Sequence, residues 1–391
     1  MVQLRYFCLL LLSAVFCQMS GQVSGAVPDS TPADSVASAP RRGIVAKVLD
    51  YFKNSNENKP EKKFDFSIIG GPHYSSDTKL GIGLVAAGIY HTARFDSVTM
   101  PSNVSLYGDV STVGFYLLGI RGNHITPGNK RRLDYKVYFY SFPTKFWGIG
   151  YDMGNNSANE TKYKDFRFTI NVGYMFRLTD ALYIGPGVEY NYVSATDVDV
   201  PQLWNGQRMS NSTVGAGLKV IWDSRDNLTA PTRGLMGRLE QRFCPRWIGN
   251  REQFAYTEFE GCIYNPLWEG AVLASRIHAR VAYGDVPWSM LSTLGGSFGM
   301  RGYYEGRYRD KGEVDVTVEL RQHVWRRSGA VVWVGAGNVF PSVDRFRWRH
   351  TLPNFGVGYR WEFKKNTNVR LDYGFGKSGQ SGFIFNINEA F

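Results

Sequence analysis

Apolar and polar residues alternate one by one along most of this chain. From Val314 to Leu320 the even positions are apolar, whereas the odd positions through His323 carry charged or polar side chains. Because successive side chains of a strand point to opposite faces, this period of two residues predicts a strand with one apolar and one polar face. The same pattern recurs in the segments 214–225, 271–283, 355–363 and 369–375.

Turn-forming residues divide the chain into about sixteen such strands. The connections alternate in length: short ones such as LTDA and RRSG alternate with mostly longer ones such as TARFDSVTMPS and PSVDRFRWRHTL. Strands of about ten residues, with short turns at one end and long loops at the other, are typical of outer-membrane β-barrels. The predicted strands are 78–91, 103–111, 113–122, 131–141, 145–152, 163–177, 180–194, 214–225, 234–245, 253–265, 271–284, 314–326, 329–340, 353–363, 367–376 and 382–391.

We therefore expect an all-β fold, a closed antiparallel transmembrane β-barrel of about sixteen strands. Closure would remove the exposed edges that so many strands otherwise present. The alternative is a soluble sandwich or propeller, which would need a second sheet to cover each apolar face. Beyond the amino-terminal segment no stretch of 18 apolar residues occurs, so the sequence predicts no transmembrane helix.

Residues 1–26 form a predicted export signal. A basic residue precedes the apolar segment YFCLLLLSAVF, and cleavage is expected between Ser20 and Ala26. One alternative is a membrane anchor, for which the apolar segment is too short. The other is a lipoprotein modified at Cys17. The bulky Phe16 argues against it, because a small residue is expected directly before a modified cysteine.

Residues 27–63 are a predicted periplasmic linker, and residues 64–391 are the predicted barrel. Five apolar linker residues recur at helical spacing and predict one short amphipathic helix. Such a helix could dock under a larger body, lie on a membrane surface or only cap the fold by packing, and capping is the favoured interpretation. The five residues are Ile44, Val45, Val48, Leu49 and Phe52.

Composition and charge narrow the function classes. The chain holds 43 Gly, 23 Tyr, 25 Phe and 10 Trp, and its net charge is +11. The basic residues are scattered at alternate strand positions instead of forming a run, which argues against nucleic acid as a partner. Outside the signal, Cys244 is expected to face a residue near position 254, far from Cys262, so the sequence predicts two isolated thiols.

No motif for an enzyme or a bound cofactor stands out. The sequence contains no P-loop, no HExxH and no GxSxG, and its six histidines, His278 and His323 among them, show no metal-ligand spacing. We therefore expect no catalytic site, no cofactor and no metal. A Ser/His/Asp or paired-carboxylate site inside the barrel is an alternative for which no residues are singled out.

One connection, LGGSFGMRGYYEGRYRDK at 294–311, is rich in glycine and arginine. Its glycines allow backbone turns that other residues avoid. Arg301, Arg307 and Arg309 offer planar donors suited to carboxylates. We expect this loop, between the eleventh and twelfth predicted strands, to fold back into an acid-lined lumen; the alternative is a mobile surface loop with a basic tip.

Several segments together resemble the bacterial surface antigen superfamily of outer-membrane barrels, typified by BamA and TamA. They are GGSFGMRGYYEGRYRDK, VELRQHVW, VVWVGAGNVF, DSRDNLTAPTRG, LDYGFG and FIFNINEAF. The resemblance covers about residues 64–391. It implies residence in the bacterial outer membrane, contact with outer-membrane lipids, and partner proteins for assembly.

The resemblance also implies a role for the loop. In the family, the loop arginine enters the lumen and pairs with acids on the strands that follow. Carried over, Arg301 is that arginine, Gly302 and Tyr303 complete the motif, and Glu319 on the polar face is the partner on the twelfth predicted strand.

The thirteenth predicted strand departs from the family pattern. The family's Phe-x-Asp-x-Gly corresponds here to 333–337, and Gly335 stands where the aspartate is expected. Either Glu319 pairs with Arg301 alone or another inward acid such as Asp372 substitutes. A buried arginine without a partner would cost several kcal/mol, so we predict that a partner exists.

The ends of the chain complete the expectation. Phe391 is the predicted terminal barrel signal, on one face with Phe383 and Phe385, although Glu389 on that face departs from the usual apolar run. At the amino end, the linker 27–63 is too short for one POTRA domain. POTRA domains are the periplasmic modules of family members that assemble or translocate proteins.

Three functions are open at this point. The first is a barrel without POTRA domains that assists assembly or transport of proteins or lipids, through strain or opening at a seam between 79–90 and 383–391. The second is a passive channel or a structural surface barrel. The third is a lipid-acting barrel enzyme.

Overall fold

The computed structural model describes residues 64–75, 79–92, 99–364 and 366–391. Within these residues, sixteen strands form one sheet in which every strand is antiparallel to its neighbours. This confirms the predicted all-β, antiparallel architecture. The predicted signal, the predicted linker and its predicted helix lie outside the described residues.

The strands of the large sheet follow chain order. They are β1 (Phe64–Ser75), β2 (Lys79–Tyr90), β3 (Ser102–Ser111), β4 (Tyr116–Ile125), β5 (Arg131–Phe146), β6 (Thr161–Arg177), β7 (Leu182–Thr196), β8 (Ser210–Asp223), β9 (Gly234–Cys244), β10 (Phe254–Pro266), β11 (Ala271–Gly284), β14 (Gly312–Trp325), β15 (Ser328–Phe340), β16 (Leu352–Lys364), β17 (Thr367–Gly376) and β18 (Ser381–Ile387). Two short strands, β12 (Ser292–Leu294) and β13 (Tyr308–Asp310), pair only with each other.

Within the part of the chain that the structure describes, helical structure is confined to the connections between strands. One turn of α-helix, α1 (Tyr151–Asn155), follows β5. Among the described residues, no helix combines the length and the apolar character that a membrane span requires. The 3-10 turns are Pro127–Asn129, Ser157–Asn159, Pro201–Trp204, Arg246–Ile248, Trp288–Met290, Val343–Arg345, Trp348–His350 and Lys377–Gly379.

Two strand predictions were wrong. The sequence analysis began the strands at 78 and missed β1, because the Gly-Gly-Pro run at 70–72 interrupts its alternation. It also divided β5 at the segment SFPT and placed a strand at 145–152. In the structure Pro143 lies opposite Lys164 within the β5–β6 ladder, and β5 continues to Phe146 before the chain enters α1.

The false division of β5 also misplaced one long connection, because the extra strand reverses the end of the sheet at which each earlier connection is expected. We call the end of the sheet that carries the connection 285–311 the loop end, and the opposite end the turn end. Thr99 and Met100, two described residues of the predicted long loop TARFDSVTMPS, lie at the turn end, because Met100 N donates to Asn129 Oδ1 at 2.8 Å and Gly128 N donates to Thr99 Oγ1 at 2.8 Å. Both partners belong to the β4–β5 connection.

The two faces of the sheet differ as the alternation predicts. We call them the apolar face and the polar face. Large apolar side chains on the apolar face are exposed, such as Leu118 at 67%, Val334 at 62% and Phe385 at 59%. Charged side chains such as Glu319 and Arg370 are buried on the polar face. An apolar surface that extends over so many strands far exceeds what soluble proteins expose.

The sheet curls toward its polar face. Lys377 Nζ, in the β17–β18 connection, donates to the hydroxyl of Tyr151 in α1 at 2.7 Å. In a flat sheet, at about 4.8 Å between strands, these two connections would be separated by roughly 48 Å. At the turn end Thr229 Oγ1, between β8 and β9, donates to the Asn366 carbonyl at 2.6 Å. The curvature therefore brings distant strands together at both ends.

The two described cysteines are free thiols, as predicted. Cys244 lies opposite Phe254 in the β9–β10 ladder, whereas Cys262 lies opposite Met236 on the same pair of strands. Both are buried. Each belongs to a separate apolar cluster, so the expectation of two isolated thiols is confirmed.

Candidate functional site

The connection 285–311 between β11 and β14 packs against the polar face. Its root is the β12–β13 ribbon, in which Leu294 pairs with Tyr308. The hydroxyl of Ser292 donates to the Arg280 carbonyl at 3.0 Å and joins the ribbon to β11. The residues between the two ribbon strands, which we call the loop tip, contain the Met-Arg-Gly-Tyr segment.

Arg301 lies at the centre of the loop tip and is completely buried. Its Nη2 donates to Glu319 Oε2 on β14 at 2.5 Å, and its Nη1 donates to Asp372 Oδ2 on β17 at 2.7 Å. The structure therefore brings together the arginine and both of the acids considered as partners. Each carboxylate occupies one side of the planar guanidinium, a geometry that favours charge-assisted hydrogen bonds.

The face of the Arg301 guanidinium is covered as well. Its Cζ lies 3.6 Å from the ring centroid of Trp333, a cation–π contact in a desolvated position. Trp333 Nε1 donates to Asn354 Oδ1 at 2.9 Å, and Asn354 Nδ2 in turn donates to the Arg301 carbonyl. Gly335 pairs in register with Asn354, so no side chain from the expected aspartate position competes for this space.

The two carboxylates extend the contact into a larger ionic cluster. Arg360 Nη1 donates to Asp372 Oδ1 at 2.6 Å, and its Nε donates to Glu389 Oε2 at 2.7 Å. Arg321 Nε donates to Glu319 Oε1 at 2.7 Å. We call the following seven buried residues the Arg301 network: Arg301, Arg321, Arg360, Arg370, Glu319, Asp372 and Glu389.

The network holds four arginines and three acidic side chains. Arg370 Nη1 lies 3.5 Å from Asp372 Oδ2, and its Nη2 donates to the Ser297 carbonyl of the loop at 2.9 Å. Asp372 is shared by three arginines, Arg301, Arg360 and Arg370. The Ser297 carbonyl therefore gives Arg370 a second acceptor. The loop contributes both a charge and an acceptor to the cluster.

Gly302 lets the backbone of the loop tip touch β17. Its φ is +107°, and a Cβ there would lie 2.6 Å from the carbonyl carbon of Gly374. A Cβ on Gly374 would lie 2.2 Å from the Arg301 carbonyl oxygen. Only glycine at both positions allows this approach.

Tyr303 fixes the far side of the loop tip. Its hydroxyl donates to the Pro353 carbonyl at 2.6 Å and accepts from the Lys377 amide at 2.7 Å. Burial raises the pKa of Tyr303 to about 12, so the phenol stays protonated as a donor. The three motif residues thus make an ionic contact, a backbone contact and a hydrogen bond.

The other loop arginines make different contacts. Arg307 Nε donates to the Gly154 carbonyl at 2.8 Å, and its Nη2 donates to Ser157 Oγ at 2.9 Å. Arg309 Nε donates to the Gly306 carbonyl at 2.9 Å. Arg307 therefore binds the loop to α1, and Arg309 binds the loop to itself. Of the three arginines, Arg301 is the one that pairs with the carboxylates of Glu319 and Asp372.

The last strand is shorter than the predicted segment 382–391. β18 ends at Ile387, and Phe391 lies outside the strand, with its ring 5.3 Å from the Arg321 guanidinium carbon. It packs beside Cys262 and Tyr264 instead of continuing the apolar face. Glu389 leaves that face too and reaches Arg360, which explains why an acid is tolerated there.

Sequence reasoning missed Trp333, Arg321, Arg360, Arg370 and Glu389. A usable signal existed for the three arginines, because they occupy polar-face positions of β14, β16 and β17 near Glu319 and Asp372. Alternation places Trp333 on the polar face, opposite to its neighbour Val334. It does not indicate that the Trp333 ring covers the Arg301 guanidinium. Glu389 lies beyond the last strand, where alternation gives no orientation.

A single antiparallel sheet with an exposed apolar face, a charged polar face and a loop held on that polar face defines an outer-membrane β-barrel protein. The Omp85 superfamily domain matches residues 122–391. The chain belongs to the Omp85 superfamily and resides in the bacterial outer membrane.

Solved structures show the same fold at low sequence identity. BamA from Haemophilus ducreyi lacking POTRA domains 1–3 is 13% identical with a TM-score of 0.55, over 83% of this chain and 69% of that chain. CdiB from Escherichia coli is 12% identical with a TM-score of 0.56, over 84% and 63%. CdiB from Acinetobacter baumannii is 12% identical with a TM-score of 0.50, over 84% and 60%.

This chain thus spans less than two thirds of either CdiB chain. No curated protein matches it in sequence.

The apolar face makes a direct prediction about lipid contact. Val334→Arg, at the middle of β15, is expected to destabilise the barrel by about 2–4 kcal/mol, because it places a charge at the bilayer centre. Leu267→Arg, in the turn-end connection that follows β10, is the control and is expected to cost about 0–1 kcal/mol. Urea unfolding in lipid vesicles measures both, and equal losses would contradict the assignment of the apolar face.

Proposed function

We propose that this chain is an Omp85 barrel that assists the assembly or transport of outer-membrane proteins or lipids together with partner subunits. The observation that carries the proposal is the Arg301 network, which connects the loop to β17 and to the segment after β18. A displacement of the last strand would therefore disturb the ionic contacts that hold the loop on the polar face. A passive pore needs no such connection.

We further propose that the sheet closes into a barrel, with β1 and β18 as the two seam strands and the connection 285–311 folded into the lumen. The contacts that join Lys377 to Tyr151 and Thr229 to Asn366 support closure. The seam strand at the amino end is β1, not the segment 79–90 expected from the sequence, because β2 already pairs with β1 and β3. Within the described residues β18 pairs only with β17.

The seam strands also differ in length. β1 has 12 residues and β18 has 7. A complete pairing along β1 is therefore impossible for β18, and part of the β1 edge keeps unpaired backbone donors and acceptors. Such an edge supports the proposal that the seam is where a client or partner strand engages.

A photo-crosslinking experiment in cells tests the partner claim. A photoreactive residue at Phe385, on the apolar face of β18, is expected to give protein adducts that co-purify in mild detergent. The same residue at Leu118, on the apolar face of β4, is the matched control, because it is at least as exposed but distant from the seam. A barrel that emerges alone from both sites would contradict an assembly role with partners.

A further inference from the structure

A second cluster of ionisable side chains lies on the polar face, on the two strands that the loop joins. His278 of β11 lies opposite Asp315 of β14 in the ladder, and Glu313 precedes Asp315 by two residues on the same face. His278 Nδ1 lies 2.9 Å from Glu313 Oε2 and 3.6 Å from Asp315 Oδ2. One imidazole nitrogen and two carboxylates converge here, from positions whose spacing in sequence gave no sign of it.

The separations suit a bound metal ion. Two ligand atoms of a tetrahedral ion bound at about 2.0–2.1 Å lie about 3.3 Å apart. The two distances from His278 Nδ1 bracket this value. One ligand atom from each of the three residues lies within 4.8 Å of the others.

Two further residues orient the candidate ligands, Glu258 beside His278 and Arg276 beside Asp315. His278 Nε2 lies 3.5 Å from Glu258 Oε1. Metal-binding histidines usually donate their second ring N–H to a carboxylate, which fixes the tautomer and the ring orientation. Arg276 Nη1 donates to Asp315 Oδ1 at 2.9 Å and so leaves the other oxygen, Oδ2, toward His278.

One carboxylate oxygen in the cluster lacks a partner. Glu313 is 1% exposed, and its Oε1 accepts no hydrogen bond from the described residues. A buried carboxylate oxygen without a partner is costly, and a cation would satisfy it. The His278 side chain is 17% exposed, so the cluster is open to solvent on one side.

We propose that His278, Glu313 and Asp315 bind a divalent transition-metal ion such as Zn²⁺ on the polar face, beside the loop tip. Imidazole together with carboxylates suits Zn²⁺, whereas Mg²⁺ and Ca²⁺ prefer oxygen ligands alone. The ion joins β11 to β14. It also lies beside the loop, because a Cβ on Gly299 would be 3.0 Å from the Asp315 carboxylate.

Metal titration of the purified full-length barrel tests the site independently of any transport role. After treatment with EDTA, the wild type is expected to bind one Zn²⁺ per chain and to unfold at a higher temperature when Zn²⁺ is present. Glu258→Gln is expected to lower the affinity about 10–100-fold. His278→Gln and Glu313→Gln are expected to lower it further. With Co²⁺ as the probe, the wild type is expected to show the visible absorption of a tetrahedral ion.

His323→Gln is the matched control, since His323 also lies on β14 but contacts the Arg326 carbonyl at 2.7 Å. It is expected to leave the affinity unchanged. Heat-dependent migration on gels reports whether each variant is folded. Absence of stoichiometric binding by the wild type at micromolar Zn²⁺ would overturn the proposal whatever the variants do. Equal binding by wild type and Glu313→Gln would also overturn it, and would leave the cluster as an ion pair of protonated His278.

Discussion

Arg301→Ala is expected to destabilise the folded barrel by about 3–5 kcal/mol, because it leaves Glu319 and Asp372 buried without the guanidinium that joins them. It also removes the cation that packs on Trp333. Urea unfolding of the barrel in lipid vesicles measures the loss. The expected loss is large because both carboxylates remain fully buried in the native state.

A double-mutant cycle shows whether the effect belongs to the contact. Arg301→Ala combined with Glu319→Gln is expected to cost clearly less than the sum of the two single losses, because the neutral side chain no longer needs the cation. The exposed pair of Arg246 and Asp285, 3.8 Å apart, is the control. Its removal is expected to cost below about 1 kcal/mol. Additive losses for Arg301 and Glu319 would refute the pairing as an energetic unit.

Gly374→Ala is expected to displace the loop tip from the polar face while the strands stay paired. The new Cβ would lie 2.2 Å from the Arg301 carbonyl oxygen, and backbone atoms on both sides prevent an easy adjustment. With the loop displaced, conductance in a planar bilayer is expected to rise far above that of the wild type. Trypsin is expected to cleave after Arg307 in this variant before it does so in the wild type.

Gly108→Ala is the matched control for this experiment. It also adds a methyl group within a strand, but nothing lies within 4 Å of the new Cβ. Its conductance and its trypsin sensitivity are expected to equal those of the wild type. A large steady current through the wild type itself would favour the passive channel. Unchanged current and unchanged cleavage in Gly374→Ala would mean that the loop does not control the pore.

The predicted partners of Arg301 had two sources: the resemblance to the family singled out Arg301 and Glu319, and strand alternation placed Glu319 and Asp372 on the polar face. Glu319 and Asp372 both occupy polar-face positions of their strands, and the structure places both within hydrogen-bond distance of Arg301. Alternation does not fix which polar-face residues meet across the interior. That depends on the curvature of the sheet and on the reach of each side chain, so the choice between the two acids stayed open.

The strand errors have a similar physical origin. β1 contains glycines and a proline that break the alternation, yet its backbone pairs with β2 over its full length. Pro143 lacks an amide donor, but β5 continues through it because neighbouring residues keep the ladder. Local composition shows where the alternation or the hydrogen bonding of a strand is interrupted. Hydrogen bonds to the adjacent strands decide whether the strand continues.

The wide spacing of the Arg301 network along the chain has a kinetic consequence. Arg301 and Glu319 are 18 residues apart, whereas Arg301 and Asp372 are 71 apart. Closing the longer loop is the slower search, and its acceptor Asp372 lies on β17, the next-to-last strand of the sheet. We therefore expect the loop tip to reach its final position only after β17 has joined the sheet, late in the folding of the barrel.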